Sequence, residues 1–233
     1  MPKTSIEITE TKTATHSPRI IPLEAKTEEQ KCVLESINNN RITIVYGPPG
    51  TGKSHLATVS ALKDLIENKV SRIILTRPCV EAYGEKLGFL PGCFNEKIGP
   101  YMIPIFDILA RILPLRDLNQ LVKKNSIQTI PLAFQRGLTF RDAFVVLDEA
   151  QNTIPEQVHM FLTRMGENCK IVITGDPGQN DIRGKNGLVD AIERLQDIKG
   201  IGIVQMTHDS IVRDPLVRVI DERLRKPLSC GEG

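Results

Sequence analysis

The octapeptide GPPGTGKS has the residue types and spacing of a phosphate-binding loop. It fits the Walker A pattern G-x-x-x-x-G-K-[ST], in which glycines let backbone N–H groups approach an anion without a Cβ in the way. Lys53 is expected to reach the β- and γ-phosphates of a nucleotide, and the Ser54 hydroxyl to ligate Mg²⁺. An ordinary turn is the alternative, but a strand-like run precedes the loop and a helical pattern follows it, as phosphate binding requires. We therefore expect nucleotide contacts from the whole loop and the residue after it: Gly47, Pro48, Pro49, Gly50, Thr51, Gly52, Lys53, Ser54 and His55.

A second support for the metal is predicted in the segment AFVVLDEAQ. Four apolar residues lead into Asp148 and Glu149, the arrangement of a Walker B strand. Asp148 would hold Mg²⁺, usually through water, and Glu149 would position and deprotonate the attacking water. Two consecutive acids favour hydrolysis over phosphoryl transfer to a second substrate, since a kinase must exclude water.

A polar turn, GDPGQND, follows a later apolar run. Asp176 and Gln179 would stand near the γ-phosphate, because ligands bind at the carboxyl ends of parallel strands. Gln179 would hydrogen-bond the γ-phosphate or the attacking water. The alternative is a turn without a catalytic role, for which this composition is well suited.

Short apolar runs alternate with helical patterns along the chain. Most of the runs lack polar alternation, as expected for strands covered on both faces, and repeated strand–helix–strand units indicate a mainly parallel sheet flanked by helices. The predicted strands are residues 42–46, 72–76, 126–130, 144–147, 170–174 and 201–206, and the predicted helices include 55–68, 156–165 and 187–196. Another helix is predicted after Thr27, which would form a capping box with Gln30.

These elements predict a single α/β domain over residues 25–228, preceded by a flexible arm over residues 1–24. An insert at about residues 77–125 separates the second and third strands. Its second half has a helical pattern that Pro104 and Pro114 are expected to break. Inserts of this length at strand ends are more often functional than filler.

Composition argues against several classes of protein. With 233 residues, 40% of them hydrophobic and 25% charged, the chain resembles an ordinary globular protein. No apolar run approaches the roughly 18 residues of a membrane span, and the first residues lack an apolar signal core, so we expect no membrane partner and a cytoplasmic location. The five cysteines form no CxxC pair, which argues against a disulfide framework or a zinc site. A net charge of +2 and the absence of Trp give no strong indication of nucleic-acid binding.

A series of linked motifs is more specific than the phosphate loop alone. After GPPGTGKS come IILTRPCVEAYGEKLGFLPG, PYMIPIFDIL, PLAFQRGLTF, AFVVLDEAQNTIPEQVHMFLTRMG, IVITGDPGQNDI and DSIVRDPLVRVI. With these motifs, about residues 25–224 closely resemble the PhoH-like ATPase family, which is similar to the first motor domain of superfamily 1 helicases. The resemblance implies a single RecA-like P-loop NTPase domain that uses ATP and Mg²⁺.

The resemblance also implies roles for residues outside the phosphate loop. Gln30 matches the glutamine that reads adenine in such helicases, with the capping-box role as the alternative. Arg77 lies where the strand-two loop of these motors meets phosphate or nucleic acid. Arg213 matches the arginine that approaches the γ-phosphate, in cis or from a neighbour, whereas Arg136 and Arg164 match family arginines of less certain role. For each arginine, a surface salt bridge is the alternative.

The sequence departs from the family pattern at several positions. Ser54 stands where threonine is usual but keeps the hydroxyl, and one additional residue stands near Tyr83. Gln135 and Leu138 replace a methionine and an arginine, and Asp214 replaces a histidine. The candidate nucleic-acid surface is therefore less basic, which weakens the expectation of helicase activity and leaves the ATP site intact.

These observations favour a protein that hydrolyses ATP with Mg²⁺ and couples hydrolysis to binding or remodelling single-stranded RNA or DNA. The chain has residues for one motor domain, so a second wall of the ATP site would come from a homo-oligomeric ring or from a separate partner. We expect the ring, with a hexamer as the expected form. A neighbouring subunit would then supply Arg213, and such arginine fingers accelerate hydrolysis by about 10³ to 10⁵. The alternative is an ATP-dependent switch with slow turnover and a protein partner. A small-molecule kinase is a third hypothesis, against which DEAQ and GDPGQ argue.

Overall fold

Six parallel strands form one sheet in the computed structural model, which describes residues 24–78, 94–182 and 184–212, with Leu216, Ile220 and Arg223. The strands are β1 (Ile42–Tyr46), β2 (Arg72–Thr76), β3 (Ile127–Thr129), β4 (Ala143–Leu147), β5 (Cys169–Gly175) and β6 (Ile201–Gln205). Their order across the sheet is β3-β2-β4-β5-β1-β6, and all five neighbouring pairs are parallel. The predicted parallel α/β fold is confirmed, with strand bounds that differ from the predicted ones by no more than one residue at either end.

Helices cover both faces of this sheet. They are α1 (Glu28–Asn39), α2 (Lys53–Ile66), α3 (Phe94–Ile112), α4 (Leu115–Lys123), α5 (Pro155–Leu162) and α6 (Gly187–Leu195). Every residue of β4 is buried, and its successive side chains point to opposite faces because the strand period is two. Phe144 and Val146 join the core formed with α1 to α4, and Val145 and Leu147 join the core formed with α5 and α6. Each fully buried side chain of this kind contributes about 1.5–3 kcal/mol, so the sheet is a firm base for the loops at its edges.

The carboxyl ends of three strands meet at one edge of the sheet. β5 pairs with both β1 and β4, so the loop after β1, the acidic pair after β4 and the turn after β5 lie side by side. Parallel sheets bind ligands at this edge, outside the carboxyl ends of the strands.

The insert between β2 and β3 is helical over its described second half. Pro114 separates α3 from α4 as predicted, but the predicted break at Pro104 is wrong, because α3 continues through it. Pro104 is exposed, whereas Ile105 and Leu109 are buried in the core beside α2. Their burial offsets the roughly 3 kcal/mol that a proline costs inside a helix.

The predicted arm over residues 1–24 falls almost wholly outside the described residues, so it and the bounds 25–228 stay predictions. Among the helices that the structure describes, none combines the length and the apolar character needed to cross a bilayer.

Candidate active site

The phosphate loop joins β1 to α2 and depends on its glycines. At Gly47 (φ 144°), a Cβ would lie 2.1 Å from the carbonyl oxygen of Met206, so only glycine fits beside β6. Gly50 (φ 83°) and Gly52 (φ 90°) also have positive φ, which costs other residues about 1–2 kcal/mol. Gly52 is the N-cap of α2, so the positive end of that helix faces the loop.

Lys53, the first residue of α2, lies across the loop. Its Nζ donates to the carbonyl oxygens of Gly47 and Pro48, at 2.7 Å in each case, and its side chain is buried. Thr51 Oγ1 also donates to the Pro48 carbonyl, at 3.1 Å. The loop therefore holds a positive charge within it, as binding of a polyphosphate requires.

Gln30 supports the phosphate loop from beneath. Its side chain is buried, its Nε2 donates to the Thr51 carbonyl at 3.0 Å, and its Oε1 accepts from the Lys26 backbone N–H at 2.8 Å. The first half of the predicted capping box is present, because the Gln30 N–H donates to Thr27 Oγ1 at 3.2 Å. In the second half of a capping box, the Gln30 side chain would accept from the Thr27 N–H, but here it accepts from the N–H of the preceding residue, Lys26. Adenine reading by Gln30 stays a prediction, since the contacts of its amide in the structure are with the backbone.

Ser54 and Asp148, the two predicted metal ligands, lie in direct contact. Ser54 Oγ donates to Asp148 Oδ1 at 2.6 Å, and Thr174 Oγ1 at the end of β5 donates to the same oxygen at 2.7 Å. The Asp148 N–H donates to the Thr76 carbonyl at 2.9 Å, which fixes the start of the acidic segment against β2. A hydroxyl and a carboxylate oxygen thus meet at the base of the loop. These are the hard ligands that Mg²⁺ prefers when phosphates and waters complete its coordination, so the residues present fit the metal.

Glu149 is held by a side chain on each of its oxygens. Its backbone adopts the left-handed conformation (φ 57°) directly after β4. Arg77 Nη2 contacts Oε1 at 2.9 Å, and Gln151 Nε2 donates to Oε2 at 2.5 Å. Arg77 Nε also lies 3.3 Å from Asp148 Oδ2, so one guanidinium bridges both acids.

Asp176 and Gln179 belong to the turn that follows β5. The Asp176 carbonyl accepts from the Gln179 N–H, and Asp176 Oδ1 accepts from the Gly178 N–H, each at 2.9 Å. The Asp176 N–H donates to Gln151 Oε1 at 3.0 Å, which ties the turn to the acidic segment. The predicted turn geometry is therefore present, and it places both side chains at the cleft.

A cleft of about 310 Å³ brings these elements together. Its lining comes from the phosphate loop, the acidic pair, the turn after β5 and one residue of α3: Pro49, Gly50, Gly52, Lys53, Ser54, His55, Ile108, Asp148, Glu149, Gly175, Asp176 and Gln179. Partial desolvation, followed by the positive charges of Lys26 and Arg111, lowers the pKa of His55 below its usual value. A neutral imidazole at the mouth of the cleft follows for neutral pH.

The segment after β6 reaches the phosphate loop. Glu29 of α1 accepts from the backbone and the hydroxyl of Thr207, at 2.9 and 2.7 Å. The Val212 N–H donates to the Gly50 carbonyl at 3.1 Å. This brings the chain to the loop one residue before Arg213, which itself lies outside the described residues.

The structure brings most of the predicted site residues to one place. Arg136 is exposed on the loop after β3, and Arg164 is half-buried, with Nη2 3.4 Å from Thr163 Oγ1. Sequence reasoning missed Gln151, although it stands two residues after Glu149, and it missed Thr174 at a strand end. Ile108 of α3 carried no signal in the sequence, because only the packing of the insert brings it to the cleft.

Comparison with known proteins identifies the family of this chain. The sequence profile of the family described as PhoH-like protein matches residues 22–224. A PhoH-like protein of Mycobacterium tuberculosis (strain ATCC 25618 / H37Rv) is 45% identical over 213 residues, 91% of this chain and 60% of the relative. A PhoH-like protein of Bacillus subtilis (strain 168) is 44% identical over 206 residues, 88% of this chain and 64% of the relative.

Among solved structures, the large terminase of a thermophilic bacteriophage superposes with a TM-score of 0.57 at 13% identity, over 86% of this chain and 50% of the terminase chain. That similarity concerns the fold. The chain spans about three-fifths of the length of the curated relatives that it matches. On the match across residues 22–224 and these identities, the chain belongs to the PhoH-like protein family, with the fold of a P-loop NTPase.

Proposed function

We propose that this protein binds ATP with Mg²⁺ in the cleft at the carboxyl edge of the sheet and hydrolyses it. The observation that carries the proposal is the 2.6 Å hydrogen bond between Ser54 Oγ and Asp148 Oδ1, because it joins the two predicted metal ligands at the phosphate loop. The first comes from the Walker A motif and the second from Walker B, 94 residues apart in the chain.

Each group has a task in this proposal. Lys53 and the positive end of α2 would bind the phosphates. Ser54 and Asp148 would hold Mg²⁺, which when bound neutralises charge on the β- and γ-phosphates. Glu149 would accept the proton of the attacking water, and Gln179 would orient that water or sense the γ-phosphate.

Coupling to a nucleic acid belongs to the proposal, with single-stranded RNA or DNA as the partner. The family resemblance supports it, as do the exposed basic and aromatic residues on the loop after β3, Arg136 and Phe134. Neither of these residues lies in the ATP cleft, so a polymer and ATP would bind at separate places on the same edge.

The first experiment measures steady-state ATP hydrolysis by the purified chain, with and without single-stranded RNA and DNA. Lys53→Ala and Glu149→Gln are expected to lower kcat by at least about 10², the lower range for loss of a general base or a charge-stabilising group. Lys63→Ala is the matched control, because it removes the same charge from an exposed position on the same helix. Hydrolysis that survives Glu149→Gln unchanged would contradict the proposal.

A second candidate is an ATP-dependent switch with slow turnover, and one observation favours it. Both oxygens of Glu149 are engaged by Arg77 and Gln151, so the proposed base is restrained by two side chains in this structure. Tight ATP binding with negligible hydrolysis, under every polymer condition, would support the switch over the ATPase.

We further propose a homo-oligomeric ring, with a hexamer as the expected form, in which Arg213 acts on the ATP site of a neighbour. The contact between Val212 and Gly50 lies within one chain, so it supports a place for this segment near that chain's own nucleotide and makes action in cis the alternative to action in trans. Mixing Lys53→Ala with Arg213→Ala subunits tests it. Activity recovered in the mixture would support action in trans, whereas a fully active monomer would contradict the ring.

A further inference from the structure

The acidic pair of the cleft is bridged by an arginine from another strand. Arg77 follows β2, contacts Glu149 at 2.9 Å and Asp148 at 3.3 Å, and its side chain is 15% exposed. A partly buried guanidinium that spans two carboxylates restrains both more firmly than a surface ion pair, because its donors are rigid and little water screens them.

The two partners of Glu149 reach it in different ways. Gln151 is buried, and its Oε1 accepts from the Asp176 N–H at 3.0 Å. Gly175 leaves room for it, since a Cβ there would lie 2.7 Å from Gln151 Oε1. Gln151 therefore cannot turn away from Glu149 without breaking its contact with Asp176, in the turn after β5. Arg77 approaches the two acids on a long, unbranched side chain from irregular chain beyond β2, so rotation of that side chain can move its guanidinium while Gln151 and its backbone partner stay in place.

The backbone of Arg77 is joined to an exposed loop at the same edge of the sheet. The Leu132 N–H donates to the Arg77 carbonyl at 3.2 Å. The residues that follow, which we call the tip (residues 133–138), include Phe134, 52% exposed, and Leu138, 39% exposed, with the exposed Arg136 between them.

The tip is anchored at its base, although its outer residues are exposed. Leu132, Gln135 and Phe140 are buried, and Gln135 Nε2 donates to the Ile130 carbonyl at 3.1 Å. A firmly held loop with an exposed aromatic residue and an exposed arginine two positions apart suits single-stranded nucleic acid, because bases stack on aromatic rings and phosphates pair with the cation.

On the basis of the proposed function, we propose that Arg77 is a positioning residue that restrains Glu149 until a phosphodiester strand on the tip draws its guanidinium away. A phosphate competes well for a guanidinium, because its oxygens match the same fork of donors as a carboxylate does. Glu149 would then gain a free oxygen to accept the proton of the attacking water. Polymer binding and ATP hydrolysis would be coupled through this one side chain.

The test compares Arg77→Ala with wild type in ATP hydrolysis, alone and with poly(U) or poly(dT), and so separates an RNA strand from a DNA strand. Without polymer, the variant is expected to raise kcat by about tenfold, in line with the loss of one charged hydrogen bond that holds back the base. Addition of either polymer is expected to give no further rise. Arg141→Ala is the matched control, because it removes the same charge from an exposed residue at the opposite edge of the sheet.

Two more variants keep the result interpretable. Arg77→Lys keeps one charge but cannot bridge both acids, so a smaller rise is expected, and it carries the test if thermal melting shows that Arg77→Ala is unfolded. Phe134→Ala is expected to weaken polymer binding. The polymer concentration that gives half-maximal stimulation should rise about tenfold, which is the effect of losing one stacked base.

The outcomes separate this inference from the proposed function. A wild type that hydrolyses ATP, beside an Arg77→Ala variant with a lowered or unchanged polymer-free kcat, would overturn the inference and leave the ATPase standing. A wild type without hydrolysis under every polymer condition, beside a gain of hydrolysis in Arg77→Ala, would support the restraint and the hydrolytic site but contradict release of Arg77 by the polymers. No hydrolysis in either protein would overturn both.

Discussion

At the scale of single residues, the predicted ligand-binding side chains and the side chains that hold them form one network of contacts. Ser54 and Asp148 meet in a direct hydrogen bond. The family resemblance gives Gln30 and Arg77 positions that contact ligands. In the structure, Gln30 instead contacts the Thr51 carbonyl. Arg77 contacts the acidic pair, Asp148 and Glu149. Both would therefore act on ATP through the groups that they hold.

The contacts of Gln30 lead to a prediction about base selectivity. Gln30→Ala removes the donor to the Thr51 carbonyl and leaves that buried group unsatisfied, which costs about 1–3 kcal/mol. Because the loss acts on the phosphate loop, affinities for ATP and GTP are expected to fall together, by about tenfold each. Titration of both nucleotides measures this.

Gln30→Glu is the matched variant, since it keeps the shape and replaces the donor with an acceptor. It is expected to weaken binding at least as much as Gln30→Ala. Loss of ATP affinity with GTP affinity unchanged would instead establish that Gln30 reads adenine.

At the scale of elements, the phosphate loop depends on strands that are distant in the sequence. β6 lies beside β1 and brings the Met206 carbonyl against Gly47. The segment after β6 then contacts α1 through Glu29 and the loop through Gly50. The loop is therefore held by β6 and α1 as well as by its own turn.

A glycine pair tests this close approach. Gly47→Ala would place a Cβ 2.1 Å from the Met206 carbonyl oxygen, so β1 and β6 would have to separate. The free energy of unfolding is expected to fall by more than about 3 kcal/mol. Gly200→Ala is the control, because Gly200 also has positive φ (89°) but no atom within 4 Å of the added Cβ, so only about 1–2 kcal/mol of backbone strain is expected. Equal losses in chemical denaturation would contradict the role given to Met206.

The link between Glu29 and Thr207 predicts a dependence of stability on pH. Burial alone would raise the pKa of Glu29, but hydrogen bonds from Ser210 and Thr207 outweigh it and leave the pKa below the ordinary value of 4.5. A lowered folded-state pKa stabilises the fold above the ordinary value, and this stabilisation is lost as the pH falls through the folded-state pKa.

Glu29→Gln, which cannot titrate, is therefore expected to be less stable than wild type at neutral pH. The difference in the free energy of unfolding should shrink as the pH falls below about 4.5. Thermal melting of both proteins across that range measures the difference. A difference that stays constant with pH would show that the Glu29 carboxylate charge contributes nothing.

At the scale of the whole molecule, burial of the sheet governs which groups can react. Burial raises the pKa of the Cys169 thiol, at the start of β5, to about 11, whereas Cys32 is exposed on α1. Thiolate is the reactive form, so alkylation of Cys169 is expected only when the sheet opens, at least about 10² slower than alkylation of Cys32. Mass spectrometry of alkylated peptides distinguishes the two, and comparable rates would contradict the burial of β5.

Much of the fold could be predicted from sequence because its signals are local. Unbroken apolar runs mark buried parallel strands, and the glycines and Lys53 mark the loop between β1 and α2. Pro104 shows the limit of such signals. A proline predicts a helix break because it lacks a backbone N–H and clashes with the preceding turn. In α3, burial of Ile105 and Leu109 against the core keeps the helix continuous.

The sequence by itself determined the prediction of a phosphate- and metal-binding site, because such sites need particular residue types at short, regular spacings. It determined the parallel α/β class for the same local reason. Only the tertiary structure decided the strand order, which places the ends of β1, β4 and β5 side by side. It also decided the bridge from Arg77 to Asp148 and Glu149 and the bond from Gln30 to the phosphate loop. These contacts join residues from separate strands and helices, so they depend on packing across the sheet, which no local spacing encodes.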